Sequence, residues 1–450
     1  MDFKRWSALL KTGVPRNGHE ISILGCNPFL IFQSKGRRLR VLAGNRVLEQ
    51  DADPFHALQA ILDHYRCLIN RFPDKSEEGP IGAFSKRILI RGGGIGAFSY
   101  DLNRLIESIP ERLPDLHHLP DIIFTLFSQF MILNENSGEC LKVELDVDLL
   151  GVDSGTLLEV PSYESDLSDS NKSGTLTAWE SNFNRNDYIQ AVKRVKEYIG
   201  EGDIYQVNIS QQFKAPFTGD AFRIFERLNL LNPAPMSAYM DFGGIKLISS
   251  SPERFLMRQG NLVESRPIKG TMLRGRTAGE DRNFREMLLS SAKEEAELSM
   301  IVDLMRNDIG KLARSGSVKV AQHKVIEEYS NVFQMLSIIN ADVSSELPSL
   351  ELIRSCFPGG SVTGCPKLQA MKIIEELERD RRGFYCGSMG YIDFDGNFDL
   401  NIAIRTITVK NGCLFFNLGG GIVFDSDPES EYEETLHKGK TIFESLRFNN

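Results

Sequence analysis

An α/β protein is predicted by three features of the chain. Strand-like stretches alternate apolar and polar residues, as from Ile204 to Gln212. Two hairpin dipeptides, Asp395-Gly396 and Asn411-Gly412, each stand between β-like runs. Amphipathic helices with apolar residues at three- and four-residue steps are interspersed among them. The 450 residues, 41% hydrophobic and 25% charged, suit a globular chain of about three domains, or one large domain with a long sheet. A net charge of -9 argues against a nucleic-acid or acidic-membrane partner, because no basic excess is available to meet phosphates. The seven cysteines (26, 67, 140, 356, 365, 386, 413) are scattered without a Cys-x-x-Cys pair, which fits reduced thiols rather than disulfides or zinc. Met1 to Trp6 lacks the apolar core of a signal peptide, and no run is long enough to span a bilayer. A cytoplasmic, soluble protein is expected.

In chain order, Ile21 to Leu24 and Pro28 to Phe32 are strand candidates, followed by the basic stretch Lys35 to Arg40. Pro54 to Asn70 has helical spacing. Gly92-Gly93-Gly94 and Gly96 lack the Gly-Lys-Ser/Thr ending of a phosphate loop, so close strand-to-strand approach is the expected reason for them. Pro161 to Gly174 is rich in Ser, Asp and Glu and reads as a linker. The predicted division is an amino-terminal region 1–160, a linker 161–184 and a carboxy-terminal region 185–450.

Beyond the linker, Ile189, Val192, Val195 and Ile199 define a helix, with Asn186 as the expected cap and Gly200 at its end. The strand Ile204 to Gln212 should bury Tyr205, Val207 and Ile209. Its other face, Gln206, Asn208 and Ser210, either meets solvent or lines a polar pocket. Asp281 to Leu312 reads as mostly helix, with Leu298, Ile301, Leu304 and Met305 inward and Glu294 and Glu297 on a shared face. Phe357 to Lys367 is a glycine-rich loop feeding a helix, with Thr363 as a possible cap and Pro366 in the first turn. On the strand Asp399 to Val409, Arg405 shares the apolar face. A guanidinium there needs an anionic partner, either a structural or a bound carboxylate. Leu418-Gly419-Gly420-Gly421-Ile422 precedes a last helix, capped by Ser426 or Asp427, that carries Glu431, Glu434 and Lys438 on one face.

The stretch Arg266-Pro267-Ile268-Lys269-Gly270-Thr271 presents a lysine on a bend at a strand end. It could be a nucleophile if its surroundings keep part of it neutral, or a solvated lysine. The two Glu-x-x-Glu helices could converge on a hard cation held by oxygen ligands, or simply complement helix dipoles.

Five stretches, Ser251 to Phe255, Arg266 to Thr271, Met300 to Asp308, Phe357 to Lys367 and Gly419 to Thr435, resemble in order the motifs of the chorismate-utilising enzymes. That family includes anthranilate synthase component I, isochorismate and salicylate synthases, and aminodeoxychorismate synthase component I. The resemblance covers about residues 185–445 and extends more weakly to Phe29–Ser34 and Gly93–Asp101. It implies two large, mainly antiparallel sheets packed as a sandwich, with helices outside and the site in a cleft. Pro-Ile-Lys-Gly-Thr marks the aminodeoxychorismate synthases, whereas anthranilate synthases carry alanine at the lysine. The implied reaction therefore joins chorismate and ammonia into 4-amino-4-deoxychorismate through a covalent Lys269 intermediate.

The resemblance assigns proton transfer to Glu253 and a polar role beside the lysine to Asn208. Gln206 stands where isochorismate and salicylate synthases place a water-activating lysine. Magnesium is implied at Glu297 and Glu434, with Glu294 and Glu431 beside them. Arg405 and Tyr385 match contacts to the enolpyruvyl carboxylate, Gly419, Gly421 and Lys438 match contacts to the ring carboxylate, and Ser361 lies near substrate. Gln334 departs from the family, which has a histidine there; glutamine donates a hydrogen bond but delivers no proton. The alternatives implied are anthranilate synthase component I, or a homologue that binds chorismate or a glutaminase subunit without turnover. Ile31-Phe32-Gln33-Ser34 stands where anthranilate synthases have part of a tryptophan site, and it supports no expectation of feedback control. No glutaminase motif is visible, so ammonia is expected from a separate glutamine amidotransferase subunit. A downstream aminodeoxychorismate lyase would complete 4-aminobenzoate for folate.

Overall fold

The computed structural model describes residues 7–12, 20–71, 92–145 and 179–447. Its strands form one hydrogen-bonded antiparallel ladder turned back on itself. One arm runs in spatial order Gln206–Pro216, Cys413–Ile422, Thr406–Lys410, Ile245–Ser251, Met236–Asp241, Ala8–Thr12 and Ile21–Lys35. The other continues through Ile122–Asn134, Gly93–Phe98, Ser388–Asp393, Phe398–Asn401, Arg254–Gln259 and Leu262–Arg266 to Val332–Asp342. Strands Ile268–Leu273 and Lys319–Glu328 flank that last strand.

The arms meet face to face. Ala8, Leu10, Ala238, Met240 and Leu247 of one arm share a buried cluster with Ile95, Ala97, Ile123, Phe127 and Met389 of the other. The expected two layers are thus joined through the long strand Ile21–Lys35. There the register shifts between Pro28 and Leu30, beside Asn27 at a φ of 55°, as in a bulge that bends a strand. Helices Arg185–Glu201, Ala221–Leu231 and Pro428–Ser445 cover the first arm; Ala278–Ser290 and Ala292–Gly310 cover the second.

The expected linker Pro161 to Gly174 lies outside the described residues. Strands from either side of it alternate in the ladder: Ala8–Thr12 pairs with Met236–Asp241, and Gly93–Phe98 with Ser388–Asp393. The two stretches therefore share one core.

Local readings hold with shifts that have physical causes. The helix Pro54–Arg71 and both hairpins are present, Asn411 and Gly412 turning at φ of 50° and 70°. Asn184, not Asn186, caps Arg185–Glu201 by accepting from the Asp187 amide, and Gly202 at a φ of 85°, not Gly200, ends it. The Asp281–Leu312 stretch is two helices, because Ser291 is extended and its side chain caps the second by accepting from the Glu294 amide. Tyr205 precedes its strand and is 66% exposed. Thr363 Oγ1 donates to the Gly359 carbonyl instead of capping, and Pro366 takes the cap position of Lys367–Leu377. The strand predicted over Asp399 to Val409 is broken between Asn401 and Thr406, where Arg405 takes a φ of 49°.

The glycines of Gly93–Phe98 serve the close approach anticipated. A Cβ on Gly96 would lie 2.3 Å from Phe124 Cδ2 and 2.4 Å from the Ile123 carbonyl oxygen. Gly96→Ala is expected to destabilise the fold by about 1–3 kcal/mol, read as a lower denaturant midpoint; an unchanged midpoint would show that the ladder can relax around Phe124.

Candidate active site

The strand Gln206–Pro216 buries both faces. Val207 and Ile209 are in the core, yet Gln206, Asn208 and Ser210 are also 8% exposed or less. The amide-bearing face is therefore interior and lines a polar pocket. It pairs with Cys413–Ile422, so that Asn208 lies opposite Gly421, Ile209 opposite Gly420 and Ser210 opposite Gly419.

These glycines leave space that other groups enter. A Cβ on Gly421 would lie 2.2 Å from Gln206 Nε2 and 3.3 Å from Lys269 Nζ. One on Gly419 would lie 2.9 Å from the Tyr385 hydroxyl, and one on Gly420 3.1 Å from Glu431 Oε2, 3.8 Å from Lys438 Nζ and 3.9 Å from Glu434 Oε1. Six side chains from four separate parts of the chain thus crowd these positions, Gln206, Lys269 and Tyr385 at Gly419 and Gly421, and Glu431, Glu434 and Lys438 at Gly420 on the opposite face.

Lys269 lies in the strand Ile268–Leu273, within a register shift between Ile268 and Thr271, and is followed by Gly270 at a φ of 81°. Its Nζ is 3.5 Å from Glu297 Oε2, and both side chains are largely buried. Glu253, 5% exposed, follows the turn after Ile245–Ser251. Its carboxylate accepts hydrogen bonds from the Ser361 side chain and the Ile268 amide. Burial outweighs these bonds and the Lys269 charge, and pushes the Glu253 carboxyl up to about 7. Such a group can give or take a proton near neutrality.

Tyr385 is buried beside Asn208, to which it is hydrogen-bonded. Arg405 is largely buried, burial lowers its pKa, and no carboxylate among the described residues pairs with it. The anionic partner anticipated for it is therefore not a structural one within those residues. Gln334 is 2% exposed, stands opposite Thr271 and Glu327 in the ladder, and its Oε1 has no hydrogen-bond donor among the described residues.

Two helices bring four carboxylates toward this region. On Pro428–Ser445, capped by Asp427, Glu431 Oε1 accepts from Ser426 Oγ at 2.6 Å. Glu434 Oε1 lies 2.6 Å from Lys438 Nζ, which also donates to the Gly419 carbonyl at 3.1 Å. Burial, then the charges of Glu297 and Glu434, raise the Glu294 pKa; burial and Glu434 raise that of Glu431. Burial acts in the same sense on Glu434, but Lys438 first among the nearby lysines holds it below its ordinary value. Among the described residues no three His, Cys, Asp or Glu side chains are gathered into a ready metal cage. The donor set, oxygen-only and crowded with like charge, suits a hard divalent cation.

A family model described as chorismate binding enzyme matches residues 27–444. The chain belongs to the chorismate-binding enzymes. It is 38% identical to aminodeoxychorismate synthase component 1 of Escherichia coli (strain K12), over 98% of this chain and 93% of that one. It is 39% identical to anthranilate synthase component 1 of Aquifex aeolicus (strain VF5), over 79% and 74% respectively. The crystal structure of anthranilate synthase component I from Streptococcus pneumoniae TIGR4 superposes with a TM-score of 0.77 at 28% identity, covering 96% of this chain and 93% of that one. No helix among the described residues is long and apolar enough to cross a membrane.

Within this chorismate-binding enzyme the structure brings Lys269, Glu253, Ser361, Glu297, Gly419, Gly421, Tyr385, Asn208, Glu434 and Lys438 into a connected set. Sequence reading passed over Gly420, although the unbroken glycine run was the available signal. It also passed over Arg382 and Glu378, whose i, i+4 spacing is too common to stand out.

The raised Glu253 pKa has a stability consequence. Between the ordinary carboxyl value of 4.5 and about 7, Glu253 is ionised in the unfolded chain and protonated in the folded one. The folded state holds the extra proton, so stability falls as pH rises through that window and levels off above it. Relative to Glu253→Gln, the wild-type thermal midpoint should decline between about pH 5 and about pH 8 by the equivalent of about 3 kcal/mol. Parallel midpoints would mean that folding leaves the Glu253 ionisation unmoved.

Proposed function

We propose that this chain aminates chorismate at carbon 4 to give 4-amino-4-deoxychorismate, the reaction of an aminodeoxychorismate synthase component I. The observation that carries this reading is the place of Lys269, on a bulge beside Glu297 and over Gly421, adjoining the residue whose amide binds Glu253. An alanine, which the anthranilate synthases carry there, could not attack carbon.

In the proposed course the Lys269 amine forms a bond to ring carbon 2 while the bond from carbon 4 to its hydroxyl breaks. The hydroxyl leaves as water with a proton from Glu253. Ammonia then bonds to carbon 4 as the bond from carbon 2 to Lys269 breaks, and the proton shed by ammonia returns to Glu253. Covalent catalysis splits one awkward substitution into two, and the proton from Glu253 eases departure of the hydroxyl in the first. Gln334 cannot deliver a proton, which leaves that work to Glu253. Its unpaired buried Oε1 would accept from a substrate donor.

Arg405 and Tyr385 would hold the enolpyruvyl carboxylate, Arg405 having no carboxylate partner among the described residues. Gly419, Gly421 and Lys438 would meet the ring carboxylate. Glu297 and Glu434, supported by Glu294 and Glu431, would hold magnesium, which would supply positive charge against that carboxylate. The relatives' designation as component 1 supports a partner component. We assign that role to a glutamine amidotransferase subunit delivering ammonia, with a separate lyase completing 4-aminobenzoate.

The purified chain with chorismate, magnesium and ammonium salt should yield 4-aminobenzoate only when aminodeoxychorismate lyase is added. Lys269→Ala should abolish that product, a loss of at least about 100-fold. Anthranilate formed without lyase would move the chain to anthranilate synthase. No product, even with a glutaminase subunit and glutamine, would favour a binding homologue without turnover.

A further inference from the structure

Outside the groups just assigned, the most completely buried ion pair among the described residues is Arg382 with Glu378, whose side chains are 1% and 2% exposed. Arg382 Nε donates to Glu378 Oε2 at 3.0 Å and Nη2 to Glu378 Oε1 at 2.7 Å. The remaining directions of the guanidinium go to backbone. Nη1 donates to the Val362 carbonyl at 3.0 Å, and Nη2 to the Asn208 carbonyl at 2.7 Å. Glu378 Oε1 in turn accepts from the Ser210 amide at 2.9 Å and the Ser210 hydroxyl at 2.8 Å. The guanidinium stands 4.6 Å from the Tyr100 ring centre and 5.8 Å from that of Tyr385, and the Arg382 carbonyl accepts from the Tyr385 amide.

Every backbone group this pair grips adjoins the proposed substrate pocket. Asn208 is itself a pocket residue, Val362 follows Ser361, Ser210 lies opposite Gly419, and Tyr385 approaches Gly419. A fully buried ion pair contributes little to stability compared with apolar residues of the same shape, so its worth lies elsewhere. The planar fork of arginine fixes several acceptors at once in one plane, which a lysine cannot do.

We propose that Arg382 and Glu378 are positioning residues that hold Asn208, Ser361 and Tyr385 in register around bound chorismate. Neither touches substrate. They act by fixing three backbone segments that would otherwise shift independently. This inference rests on the proposed substrate pocket, not on which product leaves it.

The test uses the full chain with magnesium, titrated with chorismate by calorimetry and followed for chorismate consumption with ammonium. Arg382→Lys keeps the charge and loses the fork. Ser210→Ala removes only one hydroxyl from Glu378 and stands in should Arg382→Lys fail to fold. Arg104→Lys is the control, since Arg104 sits in another buried ion-pair network, with Asp101 and Glu375, that bonds to none of the pocket residues and meets this segment through the Asp101 carboxylate on the Gly383 amide. Arg382→Lys should raise both Kd and KM for chorismate by about 10-fold, and Ser210→Ala by about 3-fold. Arg104→Lys should lower the thermal midpoint and leave Kd within about 2-fold. A merely structural role would reduce apparent kcat through loss of folded enzyme and leave KM in place. Folded Arg382→Lys or Ser210→Ala with unchanged Kd and KM would overturn the proposal, as would equal weakening by Arg104→Lys. Wild-type binding with anthranilate as product would overturn the carbon-4 reading alone; wild type that binds no chorismate would overturn both.

Discussion

Three consecutive positions without side chains, Gly419 to Gly421, are the constraint on which the candidate site depends. They lie in a strand whose neighbour turns Asn208 and Ser210 inward, so a methyl group at any of them would meet a functional atom. Burying amides beside such a strand would normally be costly, since each unpaired group forfeits its hydration. The cost is offset where partners exist: Asn208 has Tyr385 and Ser210 has Glu378. Among the described residues, Gln206 Oε1 and Gln334 Oε1 have no donor. The pocket therefore keeps some of its hydrogen-bonding capacity in reserve.

Charge follows the same logic. Lys269 is matched by Glu297 and Lys438 by Glu434, while Glu294 and Glu431 are left crowded and are pushed toward their protonated forms. Arg382 is fully neutralised by its own acid. Arg405, in contrast, is largely buried and has no acid partner among the described residues.

Much of this was legible in the chain. Motif order identified the family, and the period-two pattern at Val207 and Ile209 identified a core strand. Periodicity could not decide where Gln206 and Asn208 point, because a strand buried on both faces and one facing solvent share the same alternation. It placed Arg405 inside, as observed, but misread the backbone that carries it. The residues from Asp399 to Val409 alternate as a continuous strand would, but a left-handed backbone turn at Arg405 divides them. The helix break at Ser291 escaped notice for a related reason: the apolar stripe begins only after it. The ladder also depends on pairings as distant as Leu10 with Ala238 and Ala97 with Met389, on which local pattern is silent.

That interleaving has a consequence for how the chain is made. Ala8–Thr12 has one neighbour that follows it closely and another, Met236–Asp241, that emerges from the ribosome only after half the protein has been synthesised. Gly93–Phe98 waits still longer for Ser388–Asp393. Early strands must therefore persist with an unpaired edge during translation, a state open to association with other chains. High contact order slows the final closure as well. The amino-terminal half is thus committed to its partner half from birth, and cleaving the gene between them would part strands from their ladder neighbours rather than release two domains.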